Sequence, residues 1–423
     1  YEIASCLVGS EMCIRDRSYN VNMIVEHYSV DQGLPNNTVN CTLKDRDGFI
    51  WFGTWYGLCC FDGVKFKTFN KQEHDSDVPP RKIQRIVEDK NGYIWVKTID
   101  RKLYVFNKVT ECFHAVYDDM KNYSENIQVI KLQNTAEGDV LLLTKDKNLL
   151  LAGVDEKGQV TIKILFDSRN EINKHDYTLK HHVLCETEEY ISWIGTDYKV
   201  AAVHKGSELA SRPADFITSK INSGDKDSFT SFFEDGRKVW VGDRAGIFYS
   251  IDVRTGLVNR YVLSEIKGAI SNLLVTPAGY VYLSVAGQGT YEYDLAERRL
   301  QKINTEMNDA MVTHAFIDQY DKIWFHENEK ALIYYDPLNH TAKRFPFTMF
   351  GKITTLYSED AGERGLFFLS PAGEAWLFDR EHAEMVYINK LKQLSNDRAN
   401  QQFYHLMLDC LLYTSPSPRD KRQ

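Results

Sequence analysis

The sequence predicts an all-β fold, a β-propeller of four-stranded blades, and three observations carry that expectation. A cassette of a charged turn followed by a short aromatic strand recurs, first as Asp45-Arg-Asp-Gly-Phe-Ile-Trp-Phe-Gly-Thr54 and again as Asp89-Lys-Asn-Gly-Tyr-Ile-Trp-Val-Lys-Thr98. Its central large residue falls at Trp51, Trp95, Leu141, Trp193, Trp240, Tyr282, Trp324 and Phe367, at intervals of 44, 46, 52, 47, 42, 42 and 43 residues. A period of roughly 40 to 50 residues with several short strands per unit is the signature of propeller blades. Aromatic residues make up 13% of the chain, and no long amphipathic helix, low-complexity run or Pro/Gly linker interrupts it between Asn20 and Asp409.

The first copy shows why the cassette builds a blade. Thr38 to Leu43 reads as the first strand, Asp45 to Gly48 as a tight turn, and Phe49 to Thr54 as the second strand. Leu58 to Phe61 and Lys65 to Phe69 supply the third and fourth. Asp and Asn suit the turn because they bond their own backbone, and Gly accepts positive φ. β-Branched and aromatic residues suit strands packed on both faces, as a blade held between two others is. The Trp of the second strand is therefore expected between blades, as core rather than ligand contact.

Both ends depart from the pattern. Residues 1–17 and 410–423 resemble translated sequencing adapter and are set aside from fold reasoning. Removing them takes away five basic and four acidic residues from totals of 51 and 59, so the net charge moves from −8 to −9. A mildly acidic chain without a basic block argues against nucleic acid as a partner. Cys41, Cys59, Cys60, Cys112 and Cys185 remain, an odd set at irregular spacing that makes neither a disulfide framework nor a zinc site. Cys59 and Cys60 are adjacent in a strand and should point to opposite faces as small packing residues. No stretch approaches the roughly 18 apolar residues of a membrane helix, so no membrane contact is expected of this segment.

The residues His27-Tyr-Ser-Val-Asp-Gln-Gly-Leu-Pro-Asn-Asn-Thr-Val39, running into the first cassette and then Gly57-Leu58 and Phe61-Asp62-Gly63, resemble the first blade of two-component regulator propellers. The resemblance covers about residues 19 to 409 and is strongest in repeats one and two. It implies the periplasmic sensor region of a hybrid two-component histidine kinase from a polysaccharide-degrading bacterium. In that family two seven-bladed propellers precede a small β-sandwich, a membrane helix, a kinase and often a response regulator. The kinase lies outside this chain, so no enzyme activity is expected of it.

The domain expectation follows: residues 18–347 as a seven-bladed propeller and 348–409 as the first blade and start of the next of a second, truncated propeller. Met23 to Ser29 is placed to complete the last blade, because closure removes exposed edges. The alternative is a single eight-bladed ring ending near Asn389.

A propeller binds through loops that rigid blades hold on one end. Connections between second and third strands should share a face with the connections between blades. That places Trp55, Tyr56, Asp100, Arg101, Tyr198, Arg244 and Gln288 on one face. Aromatic rings beside Arg, Asp and amide groups suit a sugar, which offers apolar C–H faces rimmed by hydroxyls. An oligosaccharide ligand is expected, with a homodimer through the membrane-proximal region as a further partner.

Other constellations are weaker. A sialidase-like Ser-x-Asp-x-Gly-x-Thr-Trp box would need its Asp one place later than Asp45, and no spacing singles out the carboxylate pair that glycoside hydrolysis requires. His181 and His182, with His175 nearby, face opposite ways if in a strand. Ala286-Gly-Gln-Gly-Thr290 lacks the third glycine and following helix of a dinucleotide loop. Asp45-Arg-Asp-Gly48 has the flavour of a calcium loop without its remaining ligands. No cofactor, metal or catalytic residue is expected, and a propeller glycosidase or lyase, or a protein-docking propeller, stand as alternatives to the sensor.

Overall fold

The computed structural model describes residues 3–7, 24–69, 79–121, 128–168, 179–195, 200–206, 229–303, 312–327, 330–350, 357–360, 365–370 and 374–390. Among them the strands form antiparallel sheets in which sequence neighbours pair, the repeating four-stranded units of a β-propeller. Blade 1 comprises Val39–Lys44, Ile50–Thr54, Leu58–Phe61 and Phe66–Phe69, within one residue of the strands expected at each end. Blade 2 comprises Ile83–Glu88, Ile94–Thr98, Leu103–Asn107 and Cys112–Ala115. Blades 3, 5, 6, 7 and 8 open at Val129, Phe229, Ile270, Val312 and Tyr357, each with four strands, and three strands of blade 4 are described from Leu179 to His204. The chain divides into two compact units, Tyr1–Asp118 with Phe350–Gln423, and Asp119–Met349.

One carboxylate explains the cassette. Asp45 Oδ1 accepts the backbone N–H of Asp47 at 3.0 Å and of Phe49 at 2.8 Å, which closes the turn. Its Oδ2 accepts the indole N–H of Trp51 at 2.8 Å, which ties that turn to the middle of the second strand. Asp89 does the same for Asn91, Tyr93 and Trp95, Asp235 for Arg237, Lys238 and Trp240, and Asp318 for Tyr320, Lys322 and Trp324. A buried indole needs an acceptor and a buried carboxylate needs donors, so each satisfies the other.

Repeats three and six alter both partners, and repeat four has Thr187 for the Asp while keeping Trp193. Repeat three has Thr135 for the Asp and Leu141 for the Trp; the Thr hydroxyl still accepts the Asp139 N–H at 3.0 Å, and Leu141 asks for no acceptor. Repeat six has Thr276 and Tyr282, and the Tyr282 hydroxyl donates to Glu292 on the facing strand at 2.8 Å.

The apolar core is a series of layers between successive blades, as expected for the Trp positions. Trp51, Leu58 and Phe69 of blade 1 meet Ile83, Ile94, Val96 and Phe106 of blade 2. Trp240 and Phe248 of blade 5 meet Ile270 and Leu283 of blade 6, and Tyr282 meets Ile323 and Tyr335 of blade 7. Cys59 packs with Leu34, Phe52 and Phe61, whereas Cys60 lies on the layer toward blade 2, so the pair does face opposite ways. Burial pushes the Cys41 and Cys60 thiols up to about 12, which keeps them protonated and inert.

The segment ahead of blade 1 is a cap. Ser29 and Gln32 form a reciprocal capping box around the short 3-10 turn Val30–Gln32, and Gly33 ends it at φ 104, a left-handed angle that favours glycine. Leu34 is then driven beneath Phe52 and Phe61. The expectation that Met23 to Ser29 completes the last blade is not met among the described residues. Ile24–Tyr28 pairs with Ile3–Leu7, Tyr28 opposite Ile3. An edge within the same segment is closer along the chain and costs less loop entropy to reach.

If the carboxylate–indole bond organises each blade, Trp95→Phe should lower stability in urea unfolding by about 2 kcal/mol, because it leaves buried Asp89 one donor short. In a cycle with Asp89→Thr, the residue repeat three uses, the coupling should be about 1 kcal/mol or more. Additive effects would show the bond to be incidental.

Candidate functional site

The expected sharing of a face by two kinds of loop is visible in backbone hydrogen bonds. The Trp55 N–H donates to Thr38 at the entry to blade 1, at 3.2 Å, and the Trp55 carbonyl accepts from Lys82 at the entry to blade 2, at 2.9 Å. Lys82 in turn accepts from Ile99 in the next second-to-third loop. Thr54, fully buried, folds the loop by accepting from the Tyr56 and Gly57 N–H groups. The two aromatics that follow it project outward, Trp55 at 39% and Tyr56 at 61% exposure, with the Lys82 ammonium 5.3 Å from the Trp55 ring centre. That distance suits a cation–π contact.

Asp100 and Arg101 occupy the equivalent loop of blade 2 and both are exposed. The Thr98 hydroxyl hydrogen-bonds to the Asp100 carboxylate, and Lys102 lies 3.6 Å from it, so Asp100 is part of the turn. Thr144 and Asp146 repeat this arrangement in blade 3. Arg244 is exposed beside Asp243, whose carboxylate closes the loop through Ala245 and Ile247. Burial pushes the Asp243 carboxyl above its ordinary value despite those bonds. Gln288 accepts from the Lys267 N–H at 2.7 Å and donates to the Glu265 carbonyl at 3.0 Å, which gives its amide the job of holding the connection between blades. Tyr198, His175 and the side chains of His181 and His182 lie outside the described residues. Trp55, Tyr56, Asp100 and Arg101 thus fall in one compact unit, and Arg244 and Gln288 in the other.

Sequence reasoning missed two charged clusters. On the opposite end of blades 1 and 2, Asp45, Asp47 and Glu88 bring carboxylate oxygens close enough to hold a cation. The Lys108 ammonium fills that position, at 2.9, 3.0 and 2.7 Å from the three. Arg46 adds a contact to Glu88 at 3.2 Å, locking the turn of one blade onto the next. The calcium flavour of Asp45-Arg-Asp-Gly48 therefore has a local answer, since Oδ1 closes the turn and Oδ2 is taken by Trp51 and Lys108. The second cluster is Glu292, buried and accepting from both Tyr282 at 2.8 Å and Tyr335 at 3.2 Å, with His340 3.2 Å from the Tyr335 hydroxyl. Burial and the neighbouring carboxylate push both tyrosines well above their ordinary range. Tyr282 stands at the cassette's Trp position, and Glu292 serves as its acceptor.

Residues 33–56 match the two component regulator propeller family. The first blade carries a two component regulator propeller repeat. No curated protein matches the chain by sequence. Among solved structures it is similar to the extracellular domain of BT4673 from B. thetaiotaomicron, described as a hybrid two component system, with 13% identity over 88% of this chain and 63% of that one at a TM-score of 0.36. For the extracellular domain of BT3049, described likewise and from the same organism, the values are 14%, 87%, 55% and 0.37. For virginiamycin B lyase from Staphylococcus aureus they are 10%, 78%, 90% and 0.34. The chain spans less than two thirds of the length of the two extracellular domains. The propeller repeat ends at Tyr56, so its matched residues include the exposed aromatic loop. Among the described residues, no helix is long and apolar enough to cross a membrane.

Lys108→Met should lower stability by about 2 kcal/mol, below the figure for a fully buried pair because Asp47 and Arg46 are exposed. Calcium should then raise the melting temperature of the variant and leave that of the parent chain unchanged; a calcium response in the parent would reassign the cluster as a metal site. Burial opposes ionisation of Asp45, but the bonds from Trp51, Lys108 and Phe49 outweigh it and hold its carboxyl below the ordinary 3.8. Its stabilisation is therefore complete above that value and lost as pH falls through the lower folded value. Acid unfolding should accordingly shift to higher pH in Lys108→Met, measured by circular dichroism.

Proposed function

We propose that this chain is the extracytoplasmic, ligand-sensing propeller part of a hybrid two-component signalling protein, positioned in the periplasm and responding to an oligosaccharide. The observation that carries this is the matched repeat itself, which ends in the exposed pair Trp55–Tyr56 on the face where loops and blade connections meet. Aromatic rings held on a rigid rim stack against the C–H faces of sugars, and the neighbouring Arg101 offers donors to hydroxyls. A sensor role without catalysis is supported by how the carboxylates of Asp45, Asp89, Asp235 and Asp318 are spent, on turns and indoles. Ligand binding must favour one of two states to signal. The switch is assigned to an interface between propellers or protomers, because layers of interlocked aromatics make a single blade a poor hinge.

A panel of oligosaccharides scored by melting temperature tests the proposal. A cognate sugar at about 100 times its dissociation constant should add about 2.7 kcal/mol. The double variant Trp55→Ala, Arg101→Ala should lose that gain, and unchanged stabilisation would move the site elsewhere. The division into a seven-bladed ring over residues 18–347 belongs to the same proposal. Deleting residues 348–423 should leave the melting temperature of the remainder within a few degrees; loss of cooperative unfolding would make the eighth repeat part of the ring.

A further inference from the structure

Blades 1, 2, 3, 5, 6 and 7 share an irregularity near the start of the first strand. The register slips so that one extra residue enters, at Asn40, Gln84, Ile130, Thr230, Ser271 and Thr313. A bulge of this kind re-aims the side chains beside it and is common next to functional sites. On the rung that follows, the first two strands set Cys41 opposite Gly53, Arg85 opposite Lys97, Lys131 opposite Leu143, Ser231 opposite Gly242 and Asn272 opposite Ser284. Pairs so different in size and charge show that the fold makes no fixed demand at this rung. In blade 7 it holds two imidazoles, His314 opposite His326.

Residues directly opposite in an antiparallel pair share a face with their Cβ atoms about 4.5 to 5.5 Å apart. Two imidazoles can close that span around one ion, each nitrogen about 2 Å from it. His314 is exposed, so ions in solution reach the pair, whereas His326 is half-buried with its ring centre 5.0 Å from that of Phe347. Packing thus orients the deeper ring. Burial, and then the charge of His314, hold the His326 pKa below its ordinary value, and the neutral imidazole is the form that ligates metals. Each ring has two nitrogens, so a bond that the protein makes to one leaves the other for an ion, and metal-ligating histidines are commonly oriented in that way. Strand alternation turns the next residue, Glu327, to the other face, where Arg344 donates to its carboxylate at 3.0 and 3.1 Å.

We propose that His314 and His326 form a site for a divalent transition-metal ion such as Zn²⁺, held across the first two strands of blade 7. Imidazole nitrogen suits such ions, whereas Ca²⁺ and Mg²⁺ prefer oxygen. Two protein ligands leave the ion with open positions for water or for a donor atom of a bound molecule. The site uses none of Trp55, Tyr56 and Arg101, so it stands or falls separately from the oligosaccharide-sensing function.

The test is calorimetric titration of the full chain with Zn²⁺, with His314→Gln, His326→Gln and the double variant beside the parent. The parent should bind a Zn²⁺ ion that each single variant loses or holds about tenfold more weakly or worse. The double variant should be no weaker than either single one, because a shared ion needs both rings. Affinity in the parent should fall as pH is lowered from about 7.5 to about 5.5, since protons compete for the imidazoles, and excess Ca²⁺ should leave it unchanged. His314 is exposed, so His314→Gln should melt in EDTA within a few degrees of the parent, which separates lost binding from misfolding. Zn²⁺ binding of parental strength in His314→Gln overturns the proposal, as does a parent that binds no more Zn²⁺ than the double variant. Losses in the single variants that add up in the double one overturn it too, because they would mean two rings holding separate ions.

Discussion

The fold depends on a single bond repeated in blades 1, 2, 5 and 7, the acceptance of a Trp indole N–H by the Asp that opens the preceding turn. The bond links two scales. One carboxylate oxygen closes a tight turn through backbone N–H groups, and the other fixes the large side chain that fills the layer toward the next blade. Turn geometry, strand register and packing between blades are thus specified by one residue pair five or six positions apart. Substitutions in repeats three and six respect the constraint. Losing the second acceptor at Thr135 goes with losing the donor at Leu141, and the donor kept at Tyr282 recruits Glu292 instead. A half-made pair would leave a buried polar group unsatisfied, at a cost of about 1 to 3 kcal/mol; repeats three and six change both positions, whereas repeat four carries Thr187 and keeps Trp193.

The same bond divides labour between the two ends of the blades. The turns carrying the Asp residues are consumed by structure: their carboxylates hold indoles, backbone and, between blades 1 and 2, the Lys108 ammonium. At the other end, loop closure is left to residues such as Thr54 and Thr98, whose hydroxyls work from within the sheet. The residues that follow them, Trp55, Tyr56 and Arg101, are released to face solvent. Side chains can vary there at small cost to the fold, because they sit on scaffolding whose own requirements are already met.

What was legible in the sequence was local. The cassette's spacing located the strands of blade 1 to within a residue at either end, since turn chemistry and strand periodicity act over a few positions. The opposite facing of Cys59 and Cys60 followed from the two-residue period alone. What was not legible involves partners far apart in sequence. Lys108 reaches Asp45 across 63 residues and Tyr335 reaches Glu292 across 43. The bulge at the start of the first strands leaves no composition signal, since Asn40, Gln84, Ile130 and Thr230 share neither size nor polarity. Gln288 looked like a ligand group because a loop amide carries no mark of whether its partners are sugar hydroxyls or the backbone of the next connection.

A propeller built this way is well suited to hold a site and poorly suited to change shape around it. Moving one blade would open a layer in which Trp51, Phe69 and Phe106 interlock with ring centres 4.7 to 5.5 Å apart, and interiors packed to that density do not deform gradually. Under the proposed function, a ligand would act on signalling only through groups it bridges, not through strain it induces within a blade. The Trp55 loop is tied to the entry of blade 2 through Lys82, and Lys82 to the loop bearing Arg101. A sugar spanning these loops would add its contacts to an existing chain of backbone bonds and stiffen the rim. Stiffening a rim changes what can dock on it. Under the proposed function the free energy of recognition would be delivered to an interface with a second propeller or protomer, where two arrangements of rigid bodies can differ by amounts that a single ligand outweighs.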